Sequence, residues 1–348
     1  MPRLVRFASL NISRSPRMLP PRENDRLIGH VPAQTAILEA LRGGRLHHAW
    51  LISGAEGVGK ATLAYRFARR LLAGGGKTLD MAPSDPVFRR VAAGTHADLL
   101  TVEREWDEKK KRMKKAIAAE TARAIPPFLH LTPAEGGWRV VIVDGAEDLN
   151  AQSANALLKV LEEPPPRAVL ILVCSAAGRL LPTIRSRCRH LVLPPLNAAD
   201  MDDALTTYLP DLPPGERATL AALAEGSPGR ALTLAAEGGV KLAAMVAEIL
   251  REGPAIDLAR GYEMADSLRD QAPFETFMGL LHRGIASAVS AYVRGQADPA
   301  QRRLIRSRSP AHWAETAQSL SRLADETERA NMDRRQALIA GLALLRGA

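Results

Sequence analysis

Cysteine is nearly absent from this chain. Cys174 and Cys188 are the only two among 348 residues, too few for a disulfide framework or a Cys-ligated zinc site, so a reducing cytoplasmic setting is expected. Long apolar runs are missing too. None reaches the roughly 18–20 residues that a membrane-spanning helix needs, and no membrane partner is expected. Aromatics make up 4% of the chain although 46% of it is hydrophobic. The apolar mass is Ala, Leu and Val, a composition for helix-rich folding rather than a β-sandwich. Acids are outnumbered, with 38 Asp and Glu against 47 Lys and Arg, for a formal charge of +9. That excess suits an anionic partner, nucleic acid first, and suits a GC-rich genome equally well. The opening MPRLVRFASLNISRSPRMLP has no acid at all. Its composition is that of a transit peptide; a disordered leader over residues 1–22, or a start at Met18, is the simpler expectation.

What the chain does have is a glycine loop. Residues 53–62 read SGAEGVGKAT, with the pattern Gly-x4-Gly-Lys running from Gly54 through Gly59 to Lys60. HHAWLISG before it is a short apolar run of strand length, and ATLAYRFARRLLAGG after it is an amphipathic helix with a glycine stop. Strand, loop and helix in this order make the pattern a credible phosphate cradle. Gly54, Gly57 and Gly59 allow the backbone to turn around phosphate oxygens, and Lys60 adds a point charge. The pattern normally closes on a Ser or Thr whose hydroxyl holds Mg²⁺. Here that residue is Ala61, and Thr62 arrives one position late.

A second strand signal lies in GGWRVVIVDGAEDLN (136–150), a β-branched run with no polar alternation that ends on Asp144. Such a run fits a strand buried on both faces of a parallel sheet. SANALLKVLEEPPP (153–166) reads as a helix stopped by prolines, and AVLILVCSA (168–176) as another buried strand. The β-α-β-α rhythm predicts a doubly wound α/β domain over 23–196. Within 74–135, GGGKTLD (74–80) and MAPSDP (81–86) read as loop and EREWDEKKKRMKKAIAAETARAI (103–125) as a polar helix. After Pro195 the strand signals stop: a small helical unit covers 197–238 and an all-helical region covers 239–348. Asn331 or Asp333 is suited to capping the last helix.

Hydrolysis needs more than a cradle. It needs Mg²⁺, a carboxylate to hold it and a group that positions the attacking water. Asp144 is placed as the metal-side carboxylate. The next residue, where many such enzymes keep a Glu, is Gly145, and Glu147 is expected to face elsewhere once the strand has turned. No metal-ligating set is read from the sequence.

HHAWLISGAEGVGK, SANALLKVLEEPPP and LPTIRSRCR together resemble the clamp-loader subunits of bacterial DNA polymerase III, which are AAA+ proteins. The resemblance runs from about Leu27 to Pro195 and continues more thinly through EGSPGRAL and NMDRRQ. It implies an AAA+ sheet domain, a helical lid and a helical collar. It also implies that Ser186-Arg187-Cys188 carries an arginine finger, with Arg187 reaching a neighbouring subunit's γ-phosphate. The hydrolysing member of that family has a full Gly-Lys-Thr loop, an Asp-Glu pair, zinc cysteines and a lid arginine third after Gly-Ser. This chain has Ala61, Gly145, no cysteine between 70 and 130, and Gly229 at the lid position, with Arg230 one residue off. The resemblance therefore implies a non-hydrolysing stator subunit in a hetero-pentamer with gamma/tau and delta, acting on the sliding clamp and primed DNA. It requires no cofactor and leaves open ATP or ADP held without hydrolysis at Gly54, Gly57, Gly59, Lys60, Ala61, Thr62 and Asp144.

Two other readings stand beside it. One is an active ATPase of the same fold, gamma/tau-like, using Thr62 and Glu147 in altered roles. The other is a small-molecule P-loop kinase, for which the chain offers no acceptor-site motif. The basic clusters Lys109–Lys115 and Arg302–Arg308 are either DNA contacts or solvated faces. Cys174, Cys188, His47 and His48 read as packing residues.

Overall fold

The computed structural model describes residues 19–44, 46–107, 112–114, 116–268 and 270–347. Most of the 1–22 leader and most of the Lys109–Lys115 cluster lie outside the described residues. Contacts group the chain into two units: one is Met1–Leu212 with Ala221–Leu232, the other Pro213–Leu220 with Thr233–Ala348.

The first unit is built on a parallel sheet. In chain order its early elements are α1 (Val31–Arg42), β1 (Ala49–Gly54), α2 (Lys60–Leu72), α3 (Pro86–Ala92) and β2 (Leu99–Val102). A short hairpin follows, β3 (Trp106–Asp107) with β4 (Arg112–Met113), then α4 (Ala119–Arg123), α5 (Ile125–His130) and β5 (Arg139–Asp144). The series closes with α6 (Ala151–Glu162), β6 (Ala168–Cys174), α7 (Pro182–Arg185), β7 (Arg189–Leu193) and α8 (Ala198–Tyr208). The five main strands lie in the order β2-β5-β6-β1-β7, each pairing parallel to its neighbours. This is the expected α/β sheet.

Side-chain alternation explains why the strands read as unbroken apolar runs. Trp50 and Ile52 of β1 join Val140, Ile142, Val169 and Ile171 against α1 and α2 on one face. Ala49 and Leu51 join Val141, Val143, Leu170 and Leu172 against α6 on the other. With both faces covered, successive residues are buried whichever way they point. The strand order also sets the site. The loop after β1 and the end of β5 meet at the carboxyl edge of the sheet, where open α/β sheets bind ligands.

The reading of 103–125 as one helix is corrected. Trp106–Asp107 pairs antiparallel with Arg112–Met113, and Ile117 is fully buried in an extended bridge to Leu149. Lys, Glu and Ala have high helix propensity, but this stretch has no apolar stripe to bury along a helix. Ile117 is satisfied beside Leu149 instead, and helix forms further along, at α4 and α5, where Ala122 and Ile125 are buried. Residues 74–85 are irregular as read, and only Pro86 of the loop stretch falls in a helix, as the first residue of α3. The segment between α2 and α3 is held by buried Leu79 and Met81 and by Arg66 and Arg70, which donate to the Asp80 carboxylate and carbonyl.

The remaining helices are α9 (Pro214–Ala224), α10 (Pro228–Ala236), α11 (Gly239–Glu252), α12 (Leu258–Ser267), α13 (Gln271–Val293), α14 (Pro299–Arg306), α15 (Pro310–Ala330) and α16 (Arg334–Arg346). The second unit is all-helical, with a core that includes Phe274, Phe277, Leu281, Trp313, Leu320 and Leu342. Of the two cap candidates, Asp333 caps α16 by accepting from the Gln336 N–H at 2.9 Å. Asn331 instead ends α15 in the left-handed region at φ 51°, which Asn tolerates better than most residues. Among the described residues, no helix is long and apolar enough to cross a membrane.

Candidate functional site

The glycine loop forms one wall of a cavity of about 870 Å³ lying wholly within the first unit. Its glycines take backbone angles that only glycine adopts readily: Gly54, Gly57 and Gly59 have φ of 153°, 74° and 109°. α2 begins at Lys60, so the N–H groups from Gly59 to Thr62 have no partner inside the helix and carry its positive end toward the cavity. Together these form an anion cradle, as the pattern predicts.

Lys60 is only 6% exposed, and its Nζ donates to the Ala55 carbonyl at 2.8 Å. Burial lowers its pKa, while the carboxylates of Glu147, Asp144 and Glu56 act the other way. The lysine is therefore satisfied by its own loop.

Ala61, Thr62, Asp144, Gly145 and Glu147 all line the same cavity. Burial, reinforced by Glu103, pushes the Asp144 carboxyl from an ordinary 3.8 up to about 6, with Lys60 opposing. Glu147 corrects the expectation that it faces elsewhere. The short turn Ala146–Asp148 brings it back to the cavity, where its Oε1 accepts from the Ser175 N–H at 2.8 Å. Its Oε2 is buried without a hydrogen-bond partner. Burial opposes its ionisation, but bonds from its own backbone, Ser175 and Cys174, with the Lys60 charge, hold its pKa below the usual value. Gly145 has φ 80°; a side chain there is strained, so the Glu absent from this position could not be restored without cost.

Asp144 gives a pH prediction. Between pH 3.8 and about 6 the folded chain holds this proton and the unfolded chain has lost it. The carboxyl's contribution to stability is therefore lost as pH rises through that window. Asp144→Asn should melt about 2–4 °C above the parent at pH 8 and converge with it near pH 4. A variant that melts below the parent at pH 8 contradicts this.

A second wall is the chain's own Gly226–Gly229 turn. The Ser227 hydroxyl donates to the Glu56 carbonyl at 2.7 Å, and the Gly229 N–H donates to the Gly57 carbonyl at 2.9 Å. The two glycines touch: a Cβ on Gly229 would lie 2.8 Å from Gly57 Cα. Arg230 is turned aside and pairs with Glu225 at 3.0 Å, outside the cavity lining.

Several supporting residues were not visible in the motifs. His30, buried in a left-handed turn at φ 55°, bonds the Val58 carbonyl through Nε2 at 2.9 Å. Arg69, fully buried on α2, donates to the Arg22 and Asn24 carbonyls at 3.1 and 2.7 Å and stacks over Phe88. It thereby anchors the 19–28 segment that supplies the outer wall of the cavity. A buried Arg in an amphipathic helix looks the same in sequence as a solvated one.

The RSRCR segment sits elsewhere, and its arginines separate by environment. Arg185 half-buries and reaches the Ala177 carbonyl at 3.4 Å. Arg189 lies over the Trp50 ring, 4.7 Å from its centre. Arg187 is 36% exposed, is not part of the cavity wall and pairs with Glu162 at 2.9 Å. Cys188 donates to the Ile184 carbonyl, and burial pushes its thiol up to about 12. Cys174 also reaches about 12, by burial and the neighbouring Glu147, so neither thiol is poised as a nucleophile. His47 and His48 stack on each other, and His48 bonds the Leu161 carbonyl, consistent with packing. Among the described residues, no group of three or more His, Cys, Asp and Glu is placed to hold a metal ion.

Comparison with known proteins agrees with the resemblance. The family described as DNA polymerase III, delta subunit, matches residues 31–197. The delta' subunit of Pseudomonas aeruginosa is 37% identical over 218 residues, covering 62% of this chain and 65% of that one. The delta' subunit of Escherichia coli is 34% identical over 201 residues, 57% of each chain. The gamma subunit of Buchnera aphidicola from Acyrthosiphon pisum is 31% identical over 167 residues, 48% of this chain and 44% of that one. The chain thus spans less than two thirds of the length of these relatives. A five-stranded parallel sheet followed along the chain by an all-helical region agrees with the sheet domain and helical regions that the resemblance implies. Over about three fifths of its length the chain is similar to delta' subunits of DNA polymerase III, in agreement with the clamp-loader resemblance of its motifs.

Proposed function

We propose that this chain is a non-hydrolysing clamp-loader subunit that lends Arg187 to a neighbour's nucleotide site. Its partners are the ATP-hydrolysing gamma/tau subunits and delta in a hetero-pentameric ring. Through that ring it helps to place the sliding clamp on primed DNA. Residues 23–196 form the AAA+ domain, 197–238 the lid and 239–348 the collar that joins the subunits.

One contrast supports this reading. The chain's own cavity has Ala61, Gly145 and Gly229 where hydrolysis calls for a hydroxyl, a carboxylate and an arginine, while exposed Arg187 lies outside that cavity. An arginine that cannot serve its own site, placed on a surface turn, is suited to another subunit's phosphate.

The cradle fits a polyphosphate. The N–H groups of 59–62 and Lys60 would hold its oxygens, with Lys60 giving up the Ala55 carbonyl. The metal side fits poorly, because Ala61 offers no oxygen. ATP or ADP bound here acts as a structural ligand.

A second reading has one observation in its favour: Thr62 and Glu147 both line the cavity. In that case the chain is itself an ATPase, gamma/tau-like, with displaced catalytic groups. Turnover separates the two. The purified chain alone should release phosphate from ATP barely above background and should co-purify with the hydrolysing loader subunit. A turnover near one per second in the isolated chain refutes the first reading.

A further inference from the structure

We infer that Glu162 is the positioning residue for Arg187, an inference that rests on the trans-acting role proposed above. The two residues are 25 positions apart in sequence and meet because two elements end at the same place. α6 stops at Glu162, ahead of Pro164, Pro165 and Pro166. α7 is a single turn, Pro182–Arg185, and releases the chain into the segment that carries Arg187.

The guanidinium is held at two points. Nη2 meets Glu162 Oε1 at 2.9 Å, and Nη1 donates to the Thr183 carbonyl at 3.0 Å. Both residues stay open to solvent, at 36% and 52% side-chain exposure, so the pair contributes little to stability. Its effect is on geometry. An unrestrained arginine samples many rotamers and loses that freedom when it meets a phosphate. An arginine already fixed along one edge presents its remaining donors in a set direction. Arg185 and Arg189 have neutral partners, a carbonyl and a ring. Of the three arginines in RSRCR, only Arg187 has a carboxylate hydrogen-bonded to it among the described residues.

The test uses the full chain in the reconstituted loader, with ATPase stimulated by clamp and primed DNA. Glu162→Ala should lower the phosphate-release rate (kcat) at the one site that Arg187 serves about three- to fivefold, the value of an exposed ion pair, with KM for ATP and melting temperature unchanged. Glu162→Gln keeps a hydrogen-bond acceptor and should recover part of the loss. In an Arg187→Ala background, Glu162→Ala should have no further effect. An unchanged or raised kcat for Glu162→Ala, or an equal loss in the Arg187→Ala background, overturns the inference. If Arg187→Ala lowers the rate and the Glu162 variants do not, only the positioning role falls. If Arg187→Ala itself changes nothing, the trans-acting role falls and this one with it.

Discussion

Arg187→Ala should leave the chain folded and remove most of the phosphate-release burst at one site of the reconstituted loader. Folding is spared because the side chain is exposed and its ion pair with Glu162 is worth about 0.2–1 kcal/mol at most. The catalytic loss is larger. A guanidinium supplied across an interface stabilises charge spread over the γ-phosphate oxygens, and fingers of this kind contribute roughly 10³–10⁵ in rate. The steady-state rate of the whole loader should fall less than this, because Arg187 is proposed to serve a single site. Arg187→Lys should fall between parent and Ala, since an ammonium keeps the charge but loses the planar fork. Arg185→Ala and Arg189→Ala should instead alter stability, because those side chains pack on the Ala177 carbonyl and the Trp50 ring. A burst unchanged in Arg187→Ala removes the finger assignment.

Gly229→Arg, the substitution that restores the lid arginine, should destabilise the chain without adding ATP turnover. The sequence presents Gly229 as a missing phosphate sensor. In the fold, Gly229 is a contact: a Cβ there would lie 2.8 Å from Gly57 Cα and 2.9 Å from the Gly57 carbonyl oxygen. Backbone atoms cannot swing away as a side-chain end can. The turn must back off, losing the Gly229–Gly57 and Ser227–Glu56 hydrogen bonds. Overpacking of this kind costs about 1–3 kcal/mol, a drop in melting temperature of roughly 1–4 °C for a chain of this size. Gly229→Ala should account for most of the drop, because the clash is at Cβ. Arg230→Ala, which loses only an exposed pair with Glu225, is the control and should melt close to the parent. A Gly229→Arg chain as stable as the parent shows that the turn is not seated on the loop.

The parts of this protein legible from sequence are those fixed by local pattern. Gly54, Gly59 and Lys60 announce a loop because positive φ values and an uncapped helix start need those residue types at that spacing. The buried strands around VVIVD and LILVC are legible because a sheet covered on both faces leaves no polar positions to interrupt the run. The losses at Ala61 and Gly145 are legible as residue identities. The antiparallel pairing of Trp106–Asp107 with Arg112–Met113 is not, since Lys, Glu and Ala favour helix locally and cross-strand partners are not encoded in local preference.

The three arginines of RSRCR show the limit most clearly. Their letters are identical, and sequence alone cannot distinguish a cation–π contact, a carbonyl contact and an exposed ion pair. Glu147 lies three residues past Asp144 and returns to the cavity because a single short turn reverses the chain, a geometry no periodicity encodes. Gly229 reads as a deletion of function, and its closeness to Gly57 depends on a contact across 172 positions. By itself the sequence determined the loop, the sheet and the residues that are missing. Only the tertiary structure decided which partner each arginine of RSRCR meets, which carboxylates face the cavity and how closely Gly229 sits on Gly57. Those outcomes depend on distances between segments far apart in the chain, and local residue preference does not set such distances.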